Sequence, residues 1–108
     1  MLNTKKVNNR FKRINSVCSK QRVALWGCTN LIEDALLSGL NSKFIDFIID
    51  NKKSIKKKQL HGIKVYDKLV LYQKEVDMVI IMEEKEKRYI MEEVRNLSVR
   101  NVFTIEQF

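Results

Sequence analysis

An α/β fold, in which a parallel sheet is covered by helices on both faces, is the architecture that this sequence predicts. Three observations predict it. Val23–Trp26 is a continuous apolar run and Val76–Met82 is apolar apart from Asp77, the pattern of parallel strands buried on both faces. Segments with helical spacing alternate with these runs from end to end, which is the layout of a layered α/β domain. Residues 22–51, RVALWGCTNLIEDALLSGLNSKFIDFIIDN, spell strand, tight turn, short helix and second strand, with an acidic residue at its end. Right-handed crossovers then give a three-layer sandwich with strand order 3-2-1-4-5.

Taken in order, residues 1–7 are expected to be disordered. Asn8–Gln21 places Phe11, Ile14, Val17 and Cys18 on one face of a basic helix that packs on the domain. The division expected is a basic tail and helix over 1–21 and an α/β domain over 22–108. Gly27 ends the first strand, Asn30 is a helix N-cap with Glu33 completing a capping-box-like pair, and Gly39 suits a left-handed C-terminal cap. Phe44–Asn51 is the second strand. The run from Lys52 to Lys58 holds five lysines in seven residues and is expected to be a solvated loop. His61, the sole histidine, is a turn residue ahead of a short strand ending at Tyr66. Asp67 caps a short helix over Lys68–Lys74 with Leu69, Val70 and Tyr72 available for packing. Glu83 or Glu84 opens a longer helix to about Ser98, with the stripe Ile90, Met91, Val94 and Leu97. Val102–Ile105 is the last strand.

In an open α/β sheet, ligands sit at the C-terminal ends of the strands where the order reverses. The residues expected there are Gly27, Cys28, Thr29, Asn30, Asp50, Asn51, Lys52, Met82 and Glu83. Laid over G-x-G-x-x-G, the turn keeps only its first glycine, with Thr29 and Ile32 in place of the others. Glu33 in the first helical turn also repels anions, so the dehydrogenase manner of binding NAD or NADP is disfavoured. Asp50 lies 23 residues after Gly27, near where a carboxylate meets a ribose hydroxyl in dinucleotide-binding units. An Asp-Asn pair opening a polar turn is the competing explanation. Gly27→Val separates a ligand-binding module from an interaction domain that has lost its ligand. It removes ligand binding and spares the fold if the glycine serves a ligand, and damages both if it serves the turn.

Composition narrows the function classes. The chain has 108 residues, no proline and two cysteines without metal-ligand spacing, so zinc and disulfide frameworks are not expected. Cys28 is read as a small turn residue rather than an activated thiol. The formal charge is +8, and seven positive charges with no acid fall within residues 1–22. No aromatic residues interleave with the lysine run, which argues against nucleic acid. No apolar run reaches the length of a membrane span, and a cytoplasmic location is expected. One histidine, and no serine or cysteine beside a base, leave no evident acid–base pair.

The succession VALWGCTNLIEDALL, FIDFIIDN, LHGIKVYD, VDMVIIM and NVFTIEQF resembles the small Rossmann-like domains of bacterial sugar-modifying proteins. Among these are the N-terminal domains of sugar O-acyltransferases of the bacillosamine and sialic-acid type and of polysaccharide-biosynthesis nucleotide-sugar dehydratases. Similar modules follow some glycosyltransferase and methyltransferase domains. The resemblance covers about residues 22–106. It implies a nucleotide- or nucleotide-sugar-binding module, with Gly27 and its turn near the phosphates and Asp50 and Asn51 near the nucleoside. A hexapeptide-repeat domain and a Tyr-x-x-x-Lys pair are both missing from the sequence, so acetyl transfer and short-chain dehydratase chemistry do not carry over. The alternative is a non-catalytic interaction or dimerisation domain that has lost its ligand. An oxidoreductase or CoA-binding enzyme and a nucleic-acid binder rank below these two. The partners expected are a small nucleotide or nucleotide-sugar, and a second copy of the chain or a separate catalytic domain.

Overall fold

The computed structural model describes residues 4–27, 29–50, 59–83, 85–97 and 99–108. Among the described residues it is an α/β domain with six strands in one sheet and three α-helices. The helices are α1 (Thr4–Cys18), α2 (Thr29–Leu37) and α3 (Lys87–Asn96). The strands are β1 (Val23–Gly27), β2 (Phe47–Ile49), β3 (Gln59–Leu60), β4 (Ile63–Tyr66), β5 (Met78–Met82) and β6 (Asn101–Thr104).

The sheet order is β3-β4-β2-β1-β5-β6. This corrects the purely parallel, five-stranded sheet expected: the five strands read from the sequence stand as β4-β2-β1-β5-β6, their expected order 3-2-1-4-5, and β3 is added at the edge. The pairs among β4, β2, β1, β5 and β6 are parallel, but β3 joins β4 antiparallel at one edge, so the sheet is mixed. The added strand comes from a two-residue hairpin. His61 at φ 51° and Gly62 at φ 82° put two consecutive left-handed residues between β3 and β4, as a tight primed turn requires. A two-residue strand with an exposed Gln59 has too little apolar pattern to be seen in advance.

Alternation along the strands divides the core into two layers. Val23 and Leu25 of β1, Ile48 of β2, and Met78, Ile80 and Met82 of β5 face α1 and α2. Ala24, Trp26, Phe47, Ile49, Val79 and Ile81 face the opposite way, onto Ile90 and Val94 of α3 and Val70. β1 and β5 are buried along their whole length, because helices or turns cover both sides.

Helix α1 buries Phe11, Ile14 and Cys18 in the first layer, as their spacing predicts. It begins at Thr4, which corrects the disorder expected for residues 4–7. Polar contacts fasten it to the loop after α2 and to the last residue of the chain. The Asn15 side chain donates to the Gly39 carbonyl at 3.0 Å and accepts from the Asn41 amide at 2.8 Å. Arg13 donates to the Phe108 carbonyl at 2.9 Å. Burial, with Asp46 nearby, pushes the Cys18 thiol up to about 11, so this sulfur stays a protonated core group.

Other boundaries differ for local reasons. Helix α2 starts at Thr29, one residue before the expected N-cap Asn30, and ends as expected: Gly39 has φ 123° and the Leu40 amide reaches the Ala35 carbonyl at 3.0 Å. The second strand is shorter than Phe44–Asn51, because Asn41 caps a 3-10 turn over Ser42–Phe44 through the Lys43 amide. Asp67 caps as expected, accepting from the Leu69 amide at 3.0 Å, but the element is a 3-10 turn over Lys68–Tyr72. Leu69 and Tyr72 are exposed rather than packed, and only Val70 of that turn is buried. Helix α3 starts at Lys87 instead of Glu83 or Glu84.

At the other end of the strands, Asp77 accepts from the Arg22 amide at 2.8 Å and pairs with its guanidinium at 3.5 Å. The amide bond, then the guanidinium, hold the Asp77 carboxyl below its ordinary value. The sign of the consequence is fixed. A carboxyl with a lower pKa in the folded than in the unfolded chain adds stability above the unfolded value, and that stability is lost as pH falls through the folded value. Asp77→Asn should therefore lower the melting temperature at pH 7 and reduce its fall between about pH 4 and pH 2. Thermal melts of both proteins across that range check it, and parallel acid limbs would contradict it.

Candidate functional site

The chain leaves β1 for β2 over the α1–α2 face, through α2, whereas β5 passes to β6 through α3 on the opposite face. The C-terminal ends of β1 and β5 therefore border the point where connections diverge to the two faces, the usual place for a ligand in an open α/β sheet.

Gly27 closes β1 beside Met82, its register partner on β5. Its φ is 154°, and a Cβ built there would overlap the Met82 carbonyl oxygen and lie 2.5 Å from the carbonyl carbon. The glycine is thus required by the close approach of two central strands. Thr29 opens α2, and Asn30 is exposed in its first turn. Asp50 follows β2, buried at 6 % exposure, with its amide donating to the Tyr66 carbonyl at 3.0 Å. It is the buried polar residue of the described chain, placed one strand from Gly27. Cys28, Asn51 and Lys52 lie outside the described residues, as does the rest of the lysine run.

Met82 and Glu83 are brought to a different neighbourhood from Asp50. They line a cavity of about 330 Å³ on the α1–α2 face, together with Arg10 and Phe11 of α1, Leu31, Asp34, Ala35 and Ser38 along one side of α2, and Ile105 and Glu106. Glu83 turns one carboxylate oxygen toward the Lys85 amide at 3.3 Å. The Glu106 carboxyl is held below its ordinary value, first by its own backbone amide and then by Thr104, Lys87 and Arg10, against partial desolvation. A larger cavity of about 610 Å³ lies at the N-terminal ends of the strands, among Arg22, Tyr72, Lys74, Glu75, Asp77 and Arg100. Its charges largely pair with one another, Arg22 with both Glu75 and Asp77.

Sequence reasoning missed one polar contact beside the site. Glu33 of α2 lies 3.6 Å from His61 in the β3–β4 hairpin. The two are far apart in the chain, and only the antiparallel hairpin brings them together. Among the described residues no group of three or more histidine, cysteine or acidic side chains is arranged to hold a metal ion, and no helix is long and apolar enough to cross a membrane.

Fold and site together define a small α/β domain with a mixed six-stranded sheet. The chain belongs to the family described as C2185-like, N-terminal, whose model matches residues 19–103. Among curated proteins it has no match. The matched stretch begins just after α1.

Proposed function

We propose that this is a Rossmann-like binding module for a nucleotide or nucleotide-sugar, without a complete catalytic site of its own, serving sugar modification or surface-polysaccharide synthesis in the cytoplasm. The observation that carries the reading is Asp50. It is a buried carboxylate at the C-terminal end of the strand next to β1, and a carboxylate at that place meets a ribose hydroxyl in dinucleotide-binding folds. The ligand would lie over the ends of β1 and β2, with its nucleoside toward Asp50 and its phosphates toward the start of α2.

A thermal-shift panel of UDP, UDP-N-acetylglucosamine, CMP, NAD, NADP, AMP and CoA tests it. A ligand at 100 times its Kd adds about 2.7 kcal/mol, a shift of several degrees in a domain of this size. The expected result is a shift with a uridine or cytidine ligand that Asp50→Asn removes, each protein compared with its own ligand-free melting temperature. A second reading, an interaction domain without a nucleotide, is favoured by Gly27. Its glycine is accounted for by Met82 alone, so the surviving part of the phosphate motif needs no phosphate to explain it. A flat panel would support this second reading and sink the first.

A further inference from the structure

We propose that the cavity between α1, α2 and the C-terminal 3-10 turn (Ile105–Gln107) is a binding site for an organic cation, a protonated primary amine carried on an apolar stem. Its volume, about 330 Å³, falls within the range of small-ligand sites, roughly 300–1,000 Å³. Its lining has two characters. Phe11, Ala35 and Met82 are buried core residues that form an apolar floor, extended by Leu31 and Ile105. The ionisable side chains of the wall are Asp34, Glu83 and Glu106 against Arg10. Three carboxylates face one guanidinium, and Lys87 reaches Glu106 from outside the lining at 4.0 Å, which leaves one net negative charge at the wall.

This combination selects among ligand classes. A phosphate would meet like charges across a partly enclosed space, which is costly at short range. A bare divalent cation needs several oxygens converging on one point, and among the described residues no such group forms. An ammonium with three donors satisfies acceptors spread around a rim, while its hydrocarbon stem covers the floor. Arg10, Phe11, Ile105 and Glu106 also lie outside residues 19–103, the stretch that matches the family model. Much of the wall is thus supplied by the flanking segments of this chain. The site is separate from the ribose position proposed at Asp50, so the two stand or fall independently.

The test is an NMR titration of the full chain with n-hexylamine, with n-hexanol as the uncharged control and acetyl-Ala-Lys-Ala amide as a peptide carrying the same ammonium. Saturable shifts at Ala35, Met82 and Ile105, with hexylamine binding about tenfold or more tightly than hexanol, are expected. Glu83→Gln combined with Glu106→Gln should weaken hexylamine by about tenfold and leave hexanol unchanged, whereas Arg10→Met should tighten hexylamine. Tighter binding of the peptide than of hexylamine assigns the site to lysine side chains, and the reverse assigns it to free amines. Equal binding of hexylamine and hexanol to the unmodified protein overturns the proposal, as do shifts confined to other parts of the domain.

Discussion

Gly27→Val is expected to destabilise the domain by about 3 kcal/mol or more, the upper range for overpacking a close contact. For a chain of this length that is a fall in melting temperature of about 12 °C or more. The new Cβ meets the Met82 carbonyl, which belongs to the backbone of β5. That strand is held between β1 and β6 and buried along its length, so the carbonyl cannot retreat as the tip of a flexible side chain would. The φ of 154° adds strain for any residue with a side chain. Gly27→Ala should show most of the same loss, because the first carbon makes the overlap. Urea or thermal unfolding of both variants decides the matter, and melting within about 2 °C of the unmodified chain would contradict the close approach. The substitution is therefore unsuited to removing a ligand while sparing the fold, and Asp50→Asn is the sharper probe of nucleotide binding.

Gly27 also shows how far the sequence could be read. Its position after VALW marks the end of a buried strand, and that follows from local chemistry alone. What the glycine is for depends on Met82, 55 residues later, and no local pattern carries that. The same limit explains the candidate site. Asp50, Met82 and Glu83 are identifiable as strand-end residues, yet which of them share a cavity depends on how α1 and the C-terminal 3-10 turn close over the first layer. Arg10 and Glu106 were not expected at a site because their helix and turn look like solvated surface. Strand β3 and the His61–Glu33 contact were hidden for a related reason: two residues carry no period, and a hairpin that returns to α2 leaves no trace in spacing. The apolar stripes of α1, α3, β1 and β5 were legible because burial there follows the element's own repeat.

Ile14→Ala is expected to cost about 3 kcal/mol, within the range for removing most of a buried aliphatic side chain. Ile14 is fully buried, and its neighbours in the first layer include Phe11, Cys18, Val23 and Leu25. A helix that merely trailed from the domain would lose nothing by this change. Lys12→Ala on the exposed side of the same helix is the control, with an expected effect within about 0.5 kcal/mol. Removing residues 1–21 extends the comparison, because it uncovers Val23 and Leu25 and cuts the Asn15 contacts with Gly39 and Asn41. The shortened chain should lose its cooperative melting transition. If it melts as the full chain does, α1 contributes nothing to the core and the amine site it helps to wall loses its frame. A loss confined to Ile14→Ala and the truncation, with Lys12→Ala silent, makes α1 a part of the domain even though the family match begins only at residue 19.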